Sequence, residues 1–250
     1  MTAQGLIDTT EMYLKSAYEL EEDGVVAMRA RIADRLGQSA PTVSQTVARL
    51  QRGGLLQVRE DRRLELSVRG RQRAVRVMRK HRLAEVLLYT VIGLDWPQLH
   101  VEACRWEHVM SDQVEPHILR LCGYPRYCPY GNPIPGLAEL GVTGPGPRAP
   151  RHMHTVAAAA TSGWAAGVVH RISERIQDDV AFLSRVHAAG MLPGSRVTLT
   201  ARSGTWFELS NDIDTLVLDR RQANLIVLSG AADTGRTAEG AQRPRYAAIN

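Results

Sequence analysis

Apolar positions spaced three and four residues apart dominate the first third of the chain, and this spacing is the period of an amphipathic helix. It predicts three helices followed by two strands, at 8–24, 28–36, 39–53, 55–58 and 64–68. Asp8 and Ser39 stand where the first and third helices begin, and short oxygen-bearing side chains of this kind cap helix N-termini. Helix, helix, turn, helix and hairpin in this order predict a winged helix-turn-helix.

The helical period continues beyond the predicted wing, whereas the last third of the chain changes to short apolar runs. Two long helices are predicted at 70–88 and 111–122, and between them the segment 95–97 (Asp-Trp-Pro) opens another. Pro and Gly crowd residues 129–151, which marks a linker. Beyond the linker the pattern predicts four strands and one helix, at 166–172, 196–201, 206–209, 215–218 and 177–189.

Charge is distributed unevenly along the chain. Residues 1–82 contain 16 Lys and Arg against 10 Asp and Glu, which gives +6, so with a total of +5 the remainder carries −1. Basic side chains neutralise phosphates and release counterions, and the asymmetry therefore favours nucleic acid as a partner. The sequence has no apolar run of the roughly 20 residues that a membrane span needs. Its three cysteines lack disulfide spacing, so we expect a cytoplasmic protein with no membrane partner.

A cluster of potential metal ligands lies within residues 100–108. Offsets of three and four place Cys104, Glu107 and His108 on one face of a helix. Further donors at helical spacing precede them: His81, Glu85 and His100. A soft sulfur beside nitrogen and oxygen donors suits a late first-row divalent ion. The sequence contains no His-Glu-x-x-His, so it gives no support to a zinc peptidase.

The exposed side of the third predicted helix carries small polar side chains suited to the edges of DNA bases. Ser39, Thr42 and Gln45 recur at offsets of three, and Pro41 offers an apolar contact to a thymine methyl group. We expect these residues to read base sequence. Three arginines are expected to contact phosphates instead: Arg29, Arg52 and Arg62.

Five blocks of the sequence resemble the iron-dependent repressor family, which is typified by the diphtheria toxin repressor and the mycobacterial iron-dependent regulator. They are DTTEMYL (8–14), SAPTVSQTVAR (39–49), VMRKHRLAE (77–85), EACRWEHVMSD (102–112) and GNPIPG (131–136). The resemblance is close from residue 6 to about residue 140, and the C-terminal part aligns more loosely.

The resemblance implies a mainly α fold with small β parts. It implies a winged helix-turn-helix DNA-binding domain at 1–74, a helical dimerisation and metal-binding domain at 75–140 and an SH3-like β domain at 156–229. A Pro/Gly-rich linker at 141–155 connects the last two, and composition predicts a disordered tail at 230–250.

Two metal sites per subunit are also implied by the resemblance. The primary, regulatory site is matched by Met12, Cys104, Glu107 and His108. The ancillary site is matched by His81, Glu85, His100, Glu174 and Gln177, of which the last two belong to the C-terminal domain. Family positions that hold an anion are matched by Arg82 and Asn132. The family's third anion contact is a serine, and this chain has Cys128 there.

These features predict a homodimeric, Fe(II)-activated repressor of iron-uptake and siderophore genes, which binds palindromic double-stranded operators as one dimer or two. The resemblance implies that Mn, Co, Ni or Zn substitutes for iron in vitro. The alternative is a manganese-responsive repressor of the same superfamily, although such regulators place harder oxygen ligands where this chain has Cys104. A metalloenzyme with an appended DNA-binding domain would need a general base in a cleft, and the sequence offers no nucleophile or Gly-rich cofactor loop. We therefore do not expect an enzyme.

Overall fold

A computed structural model describes residues 8–144, 150–203 and 205–230 of the chain. The middle of the predicted linker and nearly all of the predicted disordered tail lie outside the described residues. Among the described helices, none combines the length and the hydropathy that crossing a bilayer requires.

Three helices and a two-stranded wing form the N-terminal unit. They are α1 (Thr9–Glu22), α2 (Arg29–Leu36), α3 (Ala40–Arg52), β1 (Leu56–Val58) and β2 (Leu64–Leu66). The side chains of Asp8 and Ser39 accept hydrogen bonds from backbone N–H groups of the first turns of α1 and α3, as the capping prediction requires. Gly37 adopts the left-handed conformation that ends α2 and turns the chain into α3. The predicted winged helix-turn-helix is confirmed.

A long helix, α4 (Val68–Leu87), leads from the wing to the centre of the molecule. It lies close against the wing because residue 70 is glycine: a Cβ there would sit 1.8 Å from the carbonyl oxygen of Leu55. The helix continues through one π-helical turn, Leu88–Ile92, before the chain reverses.

Two shorter helices follow, α5 (Leu99–Trp106) and α6 (Glu115–Leu121), and a 3-10 turn opens the first of them. α5 ends earlier than the ligand spacing predicted, because Glu107 is its C-terminal cap residue and His108 already lies in a turn. α6 begins later than predicted, after a turn over 112–114.

The C-terminal part is a six-stranded antiparallel sheet flanked by three helices. Its strands and helices are β3 (Met153–Thr155), α7 (Val156–Thr161), β4 (Ala166–Ile172), α8 (Val180–Ala188), β5 (Arg196–Ser203), β6 (Trp206–Ser210), β7 (Thr215–Asp219), α9 (Arg220–Ala223) and β8 (Ile226–Ser229). The spatial order is β3-β8-β4-β5-β6-β7. The four predicted strands are present, and β3 and β8 are additional.

Two predicted boundaries in this part were wrong. The linker predicted at 141–155 ends before Met153, because residues 153–155 pair with β8 as strand β3. The helix predicted at 177–189 is shorter, since Asp179 caps α8 through the N–H of Phe182. A separate 3-10 turn, Glu174–Ile176, precedes it, which leaves Gln177 in the connection.

Two hydrophobic cores stabilise the part of the chain that the structure describes. The first lies inside the winged helix-turn-helix. The second runs from α4 and α5 into the C-terminal sheet without interruption. Where the central helices meet the C-terminal part, Trp96 stacks on His187 of α8. The Tyr130 hydroxyl donates to the Trp96 carbonyl there at 2.7 Å. This shared core fixes the turn after β4 against α4 and α5.

Candidate metal centre

α4, α5 and the turn after β4 bring five potential ligands to one point. His81 and Glu85 lie one turn apart on α4, His100 and Cys104 lie one turn apart on α5, and Glu174 begins the 3-10 turn. Their ligand atoms form two overlapping groups, each with all atoms within 4.8 Å of one another: His81, His100 and Cys104, and His81, Glu85, His100 and Glu174. The structure thus joins donors predicted for the primary and the ancillary site around two shared histidines.

His81 is at the centre of the second group. Its Nε2 lies 2.9 Å from Glu85 Oε1 and 3.1 Å from His100 Nδ1. His81 Nε2 and His100 Nδ1 are each 3.3 Å from Glu174 Oε2. All four side chains are buried. Two imidazoles and two carboxylates closed off from solvent offer the nitrogen and oxygen ligands that a divalent transition-metal ion accepts.

Three oxygen atoms indicate that this region fits a cation. Glu85 Oε2 and Gln177 Oε1 are buried without a hydrogen-bond partner among the described residues. Glu174 Oε2 is buried as well, and its contacts with the two histidine nitrogens at 3.3 Å lack hydrogen-bond geometry. The amide of Gln177 is fixed by its Nε2, which donates to the carbonyl oxygen of Ile172 at 2.8 Å. Buried acceptors without a donor cost free energy, and a bound cation is one way to satisfy them.

Glu107 and His108 belong to neither donor group, but Glu107 contacts His81, which belongs to both. Glu107 Oε2 lies 2.6 Å from His81 Nδ1, and Glu107 Oε1 lies 3.2 Å from His108 Nε2. The other ring nitrogen of His108, Nδ1, lies 2.9 Å from Oε2 of Glu11 on α1. Glu11 was not among the predicted site residues, although it directly precedes Met12 in the sequence.

Lys15 of α1 enters the same cluster. Its buried Nζ lies 2.6 Å from Glu107 Oε2, 3.1 Å from His81 Nδ1 and 3.7 Å from Cys104 Sγ. The predicted ligand Met12 is half-buried on the same helix, three residues earlier. The ligand spacing did not predict Lys15, for which this offset from Met12 is the only signal in the sequence. The side chain ties the DNA-binding domain to α4 and α5.

Positive charge around Cys104 determines its protonation. Burial by itself raises the pKa of the thiol, but Lys15, His100 and His81 outweigh this effect and lower the pKa to about 5. The Sγ atom also lies 3.5 Å from His100 Nε2. Burial likewise raises the pKa of Glu107, and Lys15 and His81 hold it well below its ordinary value. Cys104 is therefore a thiolate at neutral pH, the form that binds metal ions.

Replacing the ammonium of Lys15 is expected to raise the pKa of Cys104. Lys15→Met removes the positive charge that does most to lower this pKa, so the thiolate is less stabilised and the pKa moves from about 5 toward its ordinary value of 9.0. Ultraviolet thiolate absorbance followed against pH measures this, with Cys104→Ser as the blank. Lys80→Met is the matched control, since Lys80 pairs with Asp112 instead. An unchanged titration midpoint in Lys15→Met would contradict the assignment.

Arg82 and Asn132, which match anion-binding positions, are engaged by protein groups. Arg82 is fully buried; its Nε donates to Glu174 Oε1 at 2.9 Å, and its two NH groups donate to the carboxylate of Glu22 at 3.0 and 2.5 Å. Asn132 Nδ2 donates to the backbone carbonyl of Ile172 at 2.8 Å. An anion would have to displace a carboxylate to reach Arg82, which instead links α1, α4 and the turn after β4.

α3 presents the side chains that were predicted to read DNA. Ser39, Pro41, Thr42 and Gln45 are all exposed, whereas the opposite face of the helix is buried. The hydroxyls of Ser39 and Thr42 lie 2.8 Å apart, so each orders the other.

The arginines predicted to contact phosphate differ in exposure. Arg52 is exposed at the end of α3, and Arg62 is exposed at the tip of the wing with a φ of 65°. Arg29 is half-buried, and its Nε has no hydrogen-bond partner among the described residues. Arg59 and Arg63, beside Arg62, already pair with carboxylates of the wing.

Comparison with known families matches two adjacent models over this region. Residues 5–64 match the model described as "iron dependent repressor, N-terminal DNA binding domain". Residues 67–136 match "iron dependent repressor, metal binding and dimerisation domain". The first covers the winged helix-turn-helix, and the second covers the helices that carry His81, His100 and Cys104.

Individual relatives extend the match into the C-terminal sheet. The iron-dependent repressor IdeR of Mycobacterium tuberculosis is 52% identical over 200 residues, which cover 80% of this chain and 86% of the relative. The diphtheria toxin repressor of Corynebacterium diphtheriae is 48% identical over 214 residues, 86% of this chain and 94% of the relative. Among solved structures, a manganese-dependent transcriptional repressor in complex with manganese has a TM-score of 0.73 at 28% identity and covers 89% of this chain and 100% of that chain. IdeR of T. acidophilum has a TM-score of 0.71 at 25% identity, with 90% and 99% covered. The chain is a member of the iron-dependent repressor family.

Proposed function

We propose that this chain is a homodimeric repressor, activated by Fe(II), that binds palindromic operators of iron-uptake and siderophore genes. One observation carries the proposal: the buried cluster around His81 lies against α1 of the DNA-binding domain, and Lys15 of α1 contacts Cys104 and Glu107 there. An ion in this cluster would therefore lie beside α1, which shares a hydrophobic core with α3. The names of the relatives support iron as the signal and repression as the response.

We assign two metal sites to each subunit. The primary site comprises Met12, Cys104, Glu107 and His108, and the ancillary site comprises His81, Glu85, His100, Glu174 and Gln177. Iron supplies a double positive charge that pairs with the thiolate and the carboxylates. Lys15 contacts two of the primary donors, so it would have to withdraw for them to hold an ion, and Met12 would supply the thioether from the same helix. Metal acts by its higher affinity for the arrangement of α1 that binds DNA.

An apolar groove beside α5 supports dimerisation. Its apolar lining comes from the end of α4, the π-helical turn and α5: Leu88, Ile92, Leu94, Val101 and Trp106. Ile92 is 54% exposed, and monomers seldom leave such apolar patches uncovered. A second copy of this chain would cover the groove, and a two-fold dimer presents its two α3 helices to the two halves of a palindrome.

A manganese-responsive repressor is the second candidate, because a solved structure with the same fold is a manganese-dependent repressor in complex with manganese. The donors argue for iron instead. Cys104 is a thiolate at neutral pH, and affinity for such soft ligands rises from manganese to iron along the first-row series.

Anaerobic mobility shifts on a palindromic duplex selected by the protein test the proposal. The full chain is compared with Fe(II), Mn(II) and Zn(II) at matched free concentrations and with chelator. We expect Fe(II) to give a shift at lower free concentration than Mn(II), and chelator to abolish it. Equal DNA affinity with and without chelator would refute metal activation, and activation by Mn(II) at the lower concentration would favour the second candidate.

Gln45→Ala is expected to relax base preference, because Gln45 is exposed on α3 and its amide can pair with a base edge in two hydrogen bonds. We expect a loss of roughly 1–3 kcal/mol against the preferred duplex and little change on unrelated DNA. Competition mobility shifts measure both. Gln51→Ala, an exposed glutamine on the same helix, is the control. A similar loss on all sequences would instead place Gln45 against the phosphate backbone.

A further inference from the structure

The segment that carries Glu174 and Gln177 is held by the DNA-binding domain as well as by the metal centre. We call residues 171–178 the ligand turn; they comprise the end of β4, the 3-10 turn and the connection to α8. One side of the ligand turn faces α4 and α5, where Glu174 Oε2 approaches the two histidines. The other side is bonded to α1 and α2.

Arg35 of α2 makes the first of these connections. Its Nε donates to Glu19 Oε2 on α1 at 3.0 Å, and its NH2 donates to the backbone carbonyl of Glu174 at 3.0 Å. Its NH1 donates to Asp178 Oδ2 at 3.1 Å. The side chain is 14% exposed. One guanidinium thus joins two helices of the DNA-binding domain to the residue that supplies a predicted metal ligand.

Asp23, the residue that caps the C-terminus of α1, makes the second connection. Its Oδ1 accepts from Arg171 NH1 at 2.9 Å, and its Oδ2 accepts from Ser173 Oγ at 2.5 Å. Ser173 directly precedes Glu174 and is buried. The DNA-binding domain therefore holds the ligand turn on both sides of Glu174.

α2 packs directly on the recognition helix α3. The two helices are joined by the tight turn at Gly37, and Ile32 of α2 shares a buried core with Val43 and Val47 of α3. Close-packed cores resist deformation, so the two helices move together. The position of the ligand turn and the orientation of Gln45 are connected through α2.

We propose that Arg35 and Asp23 are positioning residues that couple the ancillary metal site directly to the recognition helix α3, independently of the primary site. The inference rests on the proposed function, because it takes Glu174 as an ancillary ligand. A cation bound by Glu174 and the histidines fixes the ligand turn, and the fixed turn holds α2. Linkage is reciprocal, so DNA that orders α3 raises metal affinity by the same factor, roughly 5- to 150-fold for couplings of this kind.

Hydrogen exchange of the full chain, without and with saturating Co(II), tests the coupling, and calorimetry counts the bound ions. Four proteins complete a cycle: wild type, Arg35→Gln/Asp23→Asn, Glu174→Ala, and all three substitutions together. In wild type, we expect Co(II) to slow amide exchange in α2 and α3. We expect Arg35→Gln/Asp23→Asn to bind two ions and to lose roughly 5-fold or more of that slowing. We expect Glu174→Ala to bind one ion, and in that background the same substitutions should change the slowing less than about 2-fold.

Arg31→Gln is the matched control, because Arg31 lies on the same helix and its guanidinium donates to the carbonyl of Val26. If circular dichroism shows that the double variant is unfolded, Arg35→Lys takes its place. Lysine keeps the positive charge but cannot make the three contacts of Arg35 at once. We then expect a partial loss of the Co(II)-dependent slowing of exchange. Equal slowing in every variant that binds two ions overturns the coupling alone. A wild-type chain that binds one ion, or Glu174→Ala that keeps both, overturns the ancillary assignment and the coupling with it.

Discussion

Cys104→Ala is expected to abolish metal-activated DNA binding, with a loss of metal affinity of about 100-fold or more, since even groups that merely orient ligands are worth 10- to 100-fold. The thiolate is the only sulfur anion in the described cluster, and its pKa of about 5 keeps it charged at neutral pH. Because Sγ lies 3.5 Å from His100 Nε2, removing the thiolate also changes the surroundings of the histidines that the two donor groups share. Calorimetric titration with Co(II) and mobility shifts measure the two effects.

Cys122→Ala serves as the control for this experiment. Cys122 is half-buried, and its sulfur lies 4.0 Å from the hydroxyl of Thr90, outside both donor groups. We expect it to bind metal and DNA as the unmodified chain does. If Cys104→Ala retained metal-dependent DNA binding within a few-fold, the thiolate would not be part of the switch.

Arg82→Ala is expected to lower the free energy of unfolding by roughly 3–5 kcal/mol, the usual cost of removing one partner from a buried ion pair. The guanidinium is fully buried between the carboxylates of Glu22 and Glu174 and also donates to the carbonyl of Pro133. Its removal leaves Glu174, which is 3% exposed, without its nearest cation. Unfolding in guanidinium chloride, followed by tryptophan fluorescence, measures the change in the free energy of unfolding.

Arg76→Ala controls for the loss of an arginine from the same helix. Arg76 pairs with Glu139, but its side chain is 54% exposed, and surface pairs of this kind contribute roughly 0–1 kcal/mol. Equal destabilisation by the two substitutions would mean that burial does not increase the contribution of the Arg82 ion pairs to the free energy of unfolding. A loss confined to Arg82→Ala would confirm that this residue holds α1, α4 and the ligand turn together.

The local elements of this protein could be predicted because each rests on neighbours in the sequence. The capping side chains Asp8 and Ser39, the left-handed Gly37 and the apolar spacing of α1 to α4 act within one or two helical turns. Strands β3 and β8 escaped prediction for the opposite reason. Runs of three and four residues show too little alternation, and their conformation is imposed by pairing with each other across the sheet.

Four donors of the metal centre could also be predicted from the sequence. They form two pairs at helical offsets of four, His81 and Glu85 on α4 and His100 and Cys104 on α5. Helical spacing fixes which donors share a face. It does not fix which faces meet, and the division of these donors between two sites came from the family resemblance. In the structure the two histidines belong to both donor groups.

Only the tertiary structure decided which charges surround these donors. Lys15 reaches His81 across 66 positions of the chain, and Arg35 reaches the carbonyl of Glu174 across 139. No local pattern records such contacts, because they depend on how α1, α2 and the C-terminal sheet pack on α4. The sequence by itself determined the helices, the ligand types and the basic DNA-binding domain. Packing determined that a lysine from that domain lies among the ligands, and that the turn carrying Glu174 is held by the helices that orient α3.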